Sequence, residues 1–187
     1  MPKRILFTVI SFVLAYYTYK LTILFFELAP EEFSLVAIIV IAAVLNILLL
    51  GTIAFLGFVY PTHVLLSKRY YKIKNPETLN VWYKWLGVEM FRLFLLNTFY
   101  RKKDNKKYFN GSKAGILAFD YNTKQSEFGH LIALIVVSAL SLVVLVQGHT
   151  LAFLWMLLFN ILLNLYPVIL QRKHRIIIER LIDRMGV

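Results

Sequence analysis

A chain of 187 residues, 59% of them hydrophobic and with a mean hydropathy of +0.68, holds more apolar surface than one soluble core of this size buries, so water is not its main solvent. The absence of cysteine excludes a disulfide frame, a thiolate metal site and a cysteine nucleophile. The net charge of +11 is no footprint for nucleic acid, because 20 of the 21 Lys and Arg flank or join the apolar runs, which is an orientation signal for a membrane protein.

Four apolar runs, Ile5 to Phe26, Phe33 to Tyr60, Phe128 to Gln147 and Thr150 to Leu170, each reach the roughly 20 residues that a helix needs to cross about 30 Å of hydrocarbon. They predict an all-α integral membrane four-helix bundle in a single domain over residues 1–187. Met-Pro-Lys-Arg before the first run resembles the start of a secretory signal. The run is too long, however, and Tyr16, Tyr17, Tyr19 and Lys20 replace the small residues of a cleavage site, so a retained helix is expected. The connection Glu27 to Glu32 carries no Lys or Arg, and Gln147 to Thr150 carries no charge, so both are expected outside. Both termini and the basic connection from Thr62 to Ser126 are then cytoplasmic, in a cell membrane. Lys20 lies toward the outer end of its helix and reaches the headgroups by its alkyl stem.

The second run is the longest, so it is expected to tilt or project before Pro61 ends it. Asn46 in its interior reads first as an interhelical hydrogen bond. In the cytoplasmic connection Asn75-Pro76 marks a turn. The stretch 79–100, rich in leucine and aromatics but interrupted by Lys84, Glu89, Arg92 and Asn97, is expected as an amphipathic interfacial or re-entrant helix with Trp82, Tyr83 and Trp85 at headgroup level. Arg101 to Lys107 is a compact basic run suited to anionic lipid headgroups, with a phosphorylated substrate as the alternative. The Asn110-Gly-Ser112 sequon has no meaning on a cytoplasmic face. No P-loop, dinucleotide fingerprint or His-Glu-x-x-His metal signature occurs, so neither a metal nor a bound cofactor is expected.

Glu127 and His130, three residues apart at the cytoplasmic mouth of the third span, share a helical face. A carboxylate beside an imidazole fixes its tautomer and raises its proton affinity, as a base acting on an alcohol requires; a headgroup-level pair without chemistry fits the spacing equally. In the fourth span Asn160, Asn164 and Gln171 stand at offsets of 0, 4 and 11, so three amides share one face and should point into the bundle. Pro167 removes the hydrogen bond to the carbonyl of residue 163 and bends the helix beside these amides. Arg172, Lys173, His174 and Arg175 follow; arginine grips phosphate or carboxylate in a fork, although a positive-inside anchor is the commoner reason for such a run. Ile176 to Met185 is expected as a short amphipathic helix on the membrane surface.

Glu127-x-x-His130, followed about thirty residues later by Asn160-x-x-x-Asn164-x-Tyr166-Pro167-x-x-x-Gln171-Arg172-x-x-Arg175, resembles the glycosyl-4,4'-diaponeurosporenoate acyltransferases of carotenoid pigment synthesis. Trp82-Tyr-Lys-Trp85 and Phe91-Arg92 extend the likeness, which covers roughly residues 75–181. It departs from the family after Gln171-Arg172, where Lys173-His174-Arg175 replaces an Asn-Arg-x-Arg ending. The resemblance implies a small membrane enzyme that esterifies a sugar hydroxyl of a lipid-like carotenoid glycoside with a fatty acyl group from acyl-CoA or a similar donor. On that implication His130 is the base, Glu127 its orienting carboxylate, Asn160 and Asn164 donors to the tetrahedral oxyanion, and Gln171, Arg172 and Arg175 the holders of the donor's headgroup or phosphates. The alternatives are a noncatalytic scaffold that binds membrane lipids or a partner, and another small intramembrane lipid enzyme such as a methyltransferase or reductase.

Overall fold

The computed structural model describes residues 2–98 and 112–186 and is 88% helix, with no strand among the described residues. The helices are α1 (Pro2–Glu27), α2 (Leu35–Gly57), α3 (Lys68–Tyr71), α4 (Pro76–Trp85), α5 (Val88–Thr98), α6 (Lys113–Val146), α7 (Thr150–Asn160) and α8 (Tyr166–Met185), with a π-helical turn, Ile161–Leu165, joining α7 to α8. Four helical stretches are long and apolar enough to cross a membrane: Pro2–Glu27, Leu35–Gly57, Lys113–Val146 and Thr150–Met185. The run 101–107 and the first two residues of the Asn110-Gly-Ser112 sequon lie outside the described residues.

Several helix ends differ from the sequence expectation. Helix α2 stops at Gly57, short of Tyr60. Helix α6 begins at Lys113, well before Phe128, because Ile116, Thr123 and Glu127 repeat at helical spacing and are all buried, which gives its polar half a packing face of its own. The fourth span continues to Met185 as one helical stretch, and Ile176 to Met185 is not a separate helix. The stretch 79–100 is two helices, because Gly87 adopts a left-handed conformation (φ 64°) that ends α4 and starts α5. Its last two residues, Phe99 and Tyr100, lie outside the described residues.

The chain divides into two compact units, Met1–Thr62 with Phe128–Leu165 and His63–Glu127 with Tyr166–Val187. In the first, Phe25 of α1, Leu45 and Leu49 of α2, Val137 and Val144 of α6 and Met156 of α7 form one apolar core. The outward faces are equally apolar: Phe12, Val36 and Ile47 stand exposed, the pattern of helices solvated by lipid. Ser11 donates to the Thr52 carbonyl at 2.7 Å, tying α1 to α2 where Gly51 permits close approach to Leu14. At the other end, the turn before α7 is held by His149, whose Nε2 donates to the Phe25 carbonyl at 2.9 Å and whose ring meets the edges of Phe25 and Phe33.

The second unit packs Ile73, Tyr83 and Val88 against Leu170 and Ile176 of α8, with Phe91 and Leu95 alongside. An ion pair from Glu89 to Lys173 and a 3.0 Å hydrogen bond from the Tyr166 hydroxyl to the Leu86 carbonyl hold α5 and the α4–α5 turn to α8, and Glu89 also pairs with Arg92 within α5. These cations keep the Glu89 carboxyl below the usual range, Lys173 contributing most.

Candidate functional site

Among the described residues two buried polar clusters occur, one in each unit. In the second, Glu127 is fully buried, and both its oxygens are held by arginines three residues apart on α8. Oε1 accepts from Arg172 Nε at 2.9 Å, and Oε2 accepts from Arg175 Nη1. Arg172 Nη2 also donates to the Tyr70 carbonyl at 3.3 Å. Helix α3 supplies the aromatic side of the cluster: Ser67 caps it by accepting from the Tyr70 backbone, and the guanidinium carbons of Arg172 and Arg175 lie 4.5 and 4.9 Å from the Tyr70 and Tyr71 ring centroids. One carboxylate thus faces two guanidinium groups, the Arg175 one fully buried and the Arg172 one partly exposed.

Around this core, Gln171 Nε2 donates to Ser126 Oγ at 3.2 Å. His63 donates from both its backbone N–H and its ring Nδ1 to Gln125 Oε1, at 3.3 and 2.7 Å, and its carbonyl accepts from the Tyr71 hydroxyl at 3.0 Å. The ring bond leaves His63 Nε2 as the acceptor nitrogen. Burial, reinforced by Glu127 and then Tyr70 against the two arginines, pushes the Tyr71 phenol up to about 12. Burial also raises Tyr70 and Tyr83, so all three phenols keep their protons at neutral pH.

In the first unit the polar cluster is built of neutral groups. Asn160, fully buried, donates both amide hydrogens, one to the Leu134 carbonyl and one to Ser138 Oγ, each at 3.0 Å. Its Oδ1 accepts from Asn164 Nδ2 at 2.8 Å. His130 lies beside Asn164 and the Leu163 carbonyl, the carbonyl that Pro167 has no N–H to satisfy. The π-helical turn brings the Leu163 carbonyl and Asn164 together at this point and shifts the register of α8 by about one residue. Asn46 donates to the Ala42 and Met156 carbonyls at 3.0 and 3.3 Å, the interhelical bond its sequence position suggested.

The predicted site residues therefore fall into two groups. Glu127, Gln171, Arg172 and Arg175 gather in the second unit, and His130, Asn160 and Asn164 in the first. The Glu127 carboxylate is occupied by arginines, and His130 finds an amide and a carbonyl. Sequence reasoning passed over His63, Ser138, Tyr70 and Tyr71. Only the Tyr-Tyr pair beside Lys68 and Arg69 carried a signal, as an aromatic step next to a basic segment. Among the described residues no three of His, Cys, Asp and Glu gather as metal ligands do.

Long apolar helices with buried polar clusters define a multi-pass, all-helical membrane protein. The model of the glycosyl-4,4'-diaponeurosporenoate acyltransferase family matches residues 67–184, more than half of the chain and all seven predicted site residues, and the chain belongs to that family. Comparison with curated proteins and with solved structures gave no match.

Proposed function

We infer that the chain is a membrane O-acyltransferase that esterifies a sugar hydroxyl of a lipid-like, carotenoid-type glycoside with a fatty acyl group from acyl-CoA or a similar donor. The observation that carries this reading is the family match over 67–184, which encloses Glu127, His130, Asn160, Asn164, Gln171, Arg172 and Arg175. Acyl transfer needs a base for the attacking alcohol and a cationic hold on the donor. His130 serves as the base, removing the hydroxyl proton as oxygen attacks the acyl carbonyl and then returning a proton to the departing thiolate. Its proximity to Asn164 and the Leu163 carbonyl supports this role, since acceptors beside an imidazole orient its N–H.

Asn164 retains one amide hydrogen for the oxyanion, whereas both of Asn160's are engaged, so Asn160 positions Asn164. Arg172, Arg175 and Gln171 hold the donor, with Glu127 fixing the two guanidinium groups rather than the imidazole. The basic connection 62–126 and both termini lie on the cytoplasmic side of a cell membrane, where a soluble donor is available. Helices α4 and α5 rest on that membrane face. Trp82 and Trp85, 61% and 84% exposed, support that placement, as indole rings favour the headgroup level.

Transfer of labelled acyl groups from acyl-CoA to carotenoid glycosides by the purified chain tests the reading. His130→Gln is expected to lower turnover about 10²- to 10⁴-fold with the fold intact. Wild-type turnover in that variant sinks the assignment of the base, and absence of transfer by the wild-type chain to any glycoside favours the noncatalytic scaffold.

A further inference from the structure

We propose that Arg175 and Tyr83 form the contact point of a buried oxyanion site that takes a phosphate group carried by a ligand. The proposal rests on the reading of the arginine cluster as the donor-binding side and narrows it to two side chains, one of which, Tyr83, no motif singled out as a ligand.

Arg175 is 0% exposed, yet only Nη1 reaches Glu127, while Nε and Nη2 have no hydrogen-bond partner. Those two nitrogens form the two-pronged edge of the guanidinium, the edge that pairs with two oxygens of a phosphate or carboxylate. Tyr83, 5% exposed, has a hydroxyl that is likewise without a partner. Its ring belongs to the same core as Ile176, the residue after Arg175, and its hydroxyl lies within electrostatic reach of Arg172, Glu127 and Arg175.

The unpartnered side-chain atoms here are therefore all donors: two from a guanidinium and one from a phenol that stays protonated. With two arginines against one carboxylate, the complement they require is an anion with several acceptor oxygens. Leaving such donors buried without partners is costly, and a bound anion would offset that cost. Gln171 and Arg172, by contrast, already have partners in Ser126, Glu127 and the Tyr70 carbonyl. Three donors suit the terminal oxygens of a phosphate monoester, as in a CoA-type donor, and also accept the phosphodiester of an anionic lipid headgroup.

Calorimetric titration of the full chain in phosphatidylcholine nanodiscs with CoA and with dephospho-CoA, and its thermal midpoint as phosphatidylglycerol replaces phosphatidylcholine, separate the two sources. Tyr83→Phe is the informative variant. Removing an unpartnered hydroxyl should leave the unliganded midpoint at or above that of the wild type and weaken the anion roughly tenfold or more. Arg175→Gln should abolish the response. Tyr83-dependent binding of CoA but not dephospho-CoA assigns the site to a soluble donor's phosphate, and a Tyr83-dependent response to phosphatidylglycerol alone assigns it to a headgroup. Responses that Tyr83→Phe leaves unchanged, or no response to any of these probes, overturn the site. Neither readout needs turnover: binding through Tyr83 without acyl transfer would reject the transferase reading and keep the site, whereas transfer by Tyr83→Phe at the wild-type donor KM would do the reverse.

Discussion

Glu127 sets the electrostatics of the second unit, because it is the counter-charge for the buried guanidinium of Arg175 and the partly exposed one of Arg172. Replacing it by glutamine leaves the fully buried Arg175 guanidinium without its anion, and Glu127→Gln should lose about 3–5 kcal/mol of stability, read as a lower denaturation midpoint in micelles. A midpoint equal to the wild type would show that the arginines have another counter-ion. Tyr71 gives a pH signature. Its folded pKa of about 12 lies above the ordinary 10.0, so above pH 10 the unfolded chain releases a proton that the folded chain keeps. Its contribution is complete below pH 10 and is lost as pH rises toward 12. Stability measured from pH 9 to 12 should fall, and Tyr71→Phe should flatten that slope. The sequence made Glu127 and His130 visible as polar residues at the head of an apolar span. It did not make the partners of Glu127 visible, because Arg172 and Arg175 lie 45 and 48 positions further on, and helical spacing reports only neighbours three or four residues away.

At the scale of elements, the membrane-crossing helices were legible because lipid demands long uninterrupted apolar runs, and α1 and α2 lie close to their predicted spans. Helix ends were less so wherever packing rather than hydropathy sustains the helix. Lys113 to Glu127 is polar enough to read as a loop and is nonetheless helical, with Ile116, Thr123 and Glu127 on its buried stripe. The break between α4 and α5 turns on Gly87 alone. A Cβ there would meet nothing within 4 Å, so the penalty of Gly87→Ala is purely one of backbone conformation, about 1–2 kcal/mol. Circular dichroism of Gly87→Ala should show unchanged helix content with a lowered thermal midpoint; an unchanged midpoint would mean that the turn relaxes into an ordinary conformation. Pro167 was legible as a disturbance of the fourth span, but the π-helical turn that absorbs it was not, since an extra residue in a turn leaves no mark on hydropathy.

At the scale of the whole molecule, the buried side-chain polar atoms left unmet among the described residues differ in kind between the two units. In the first these are Asn46 Oδ1, Asn164 Oδ1 and His130 Nδ1, with only oxygens and an imidazole nitrogen among them; in the second they are the hydrogen-bearing groups of Tyr83 and Arg175. That division arises from tertiary packing that no single motif encodes. The length of α6 has a consequence for where such a protein can work. Its 34 residues make a rod of about 51 Å, and only the part from Phe128 to Val146, roughly 28 Å, is matched to a hydrocarbon layer of about 30 Å. With that part as the crossing, His130 would stand barely inside the layer and Glu127 just beyond it, so bilayer thickness would act as a vertical ruler for both: a thicker membrane would submerge the carboxylate and its arginines, and a thinner one would lift the imidazole into water.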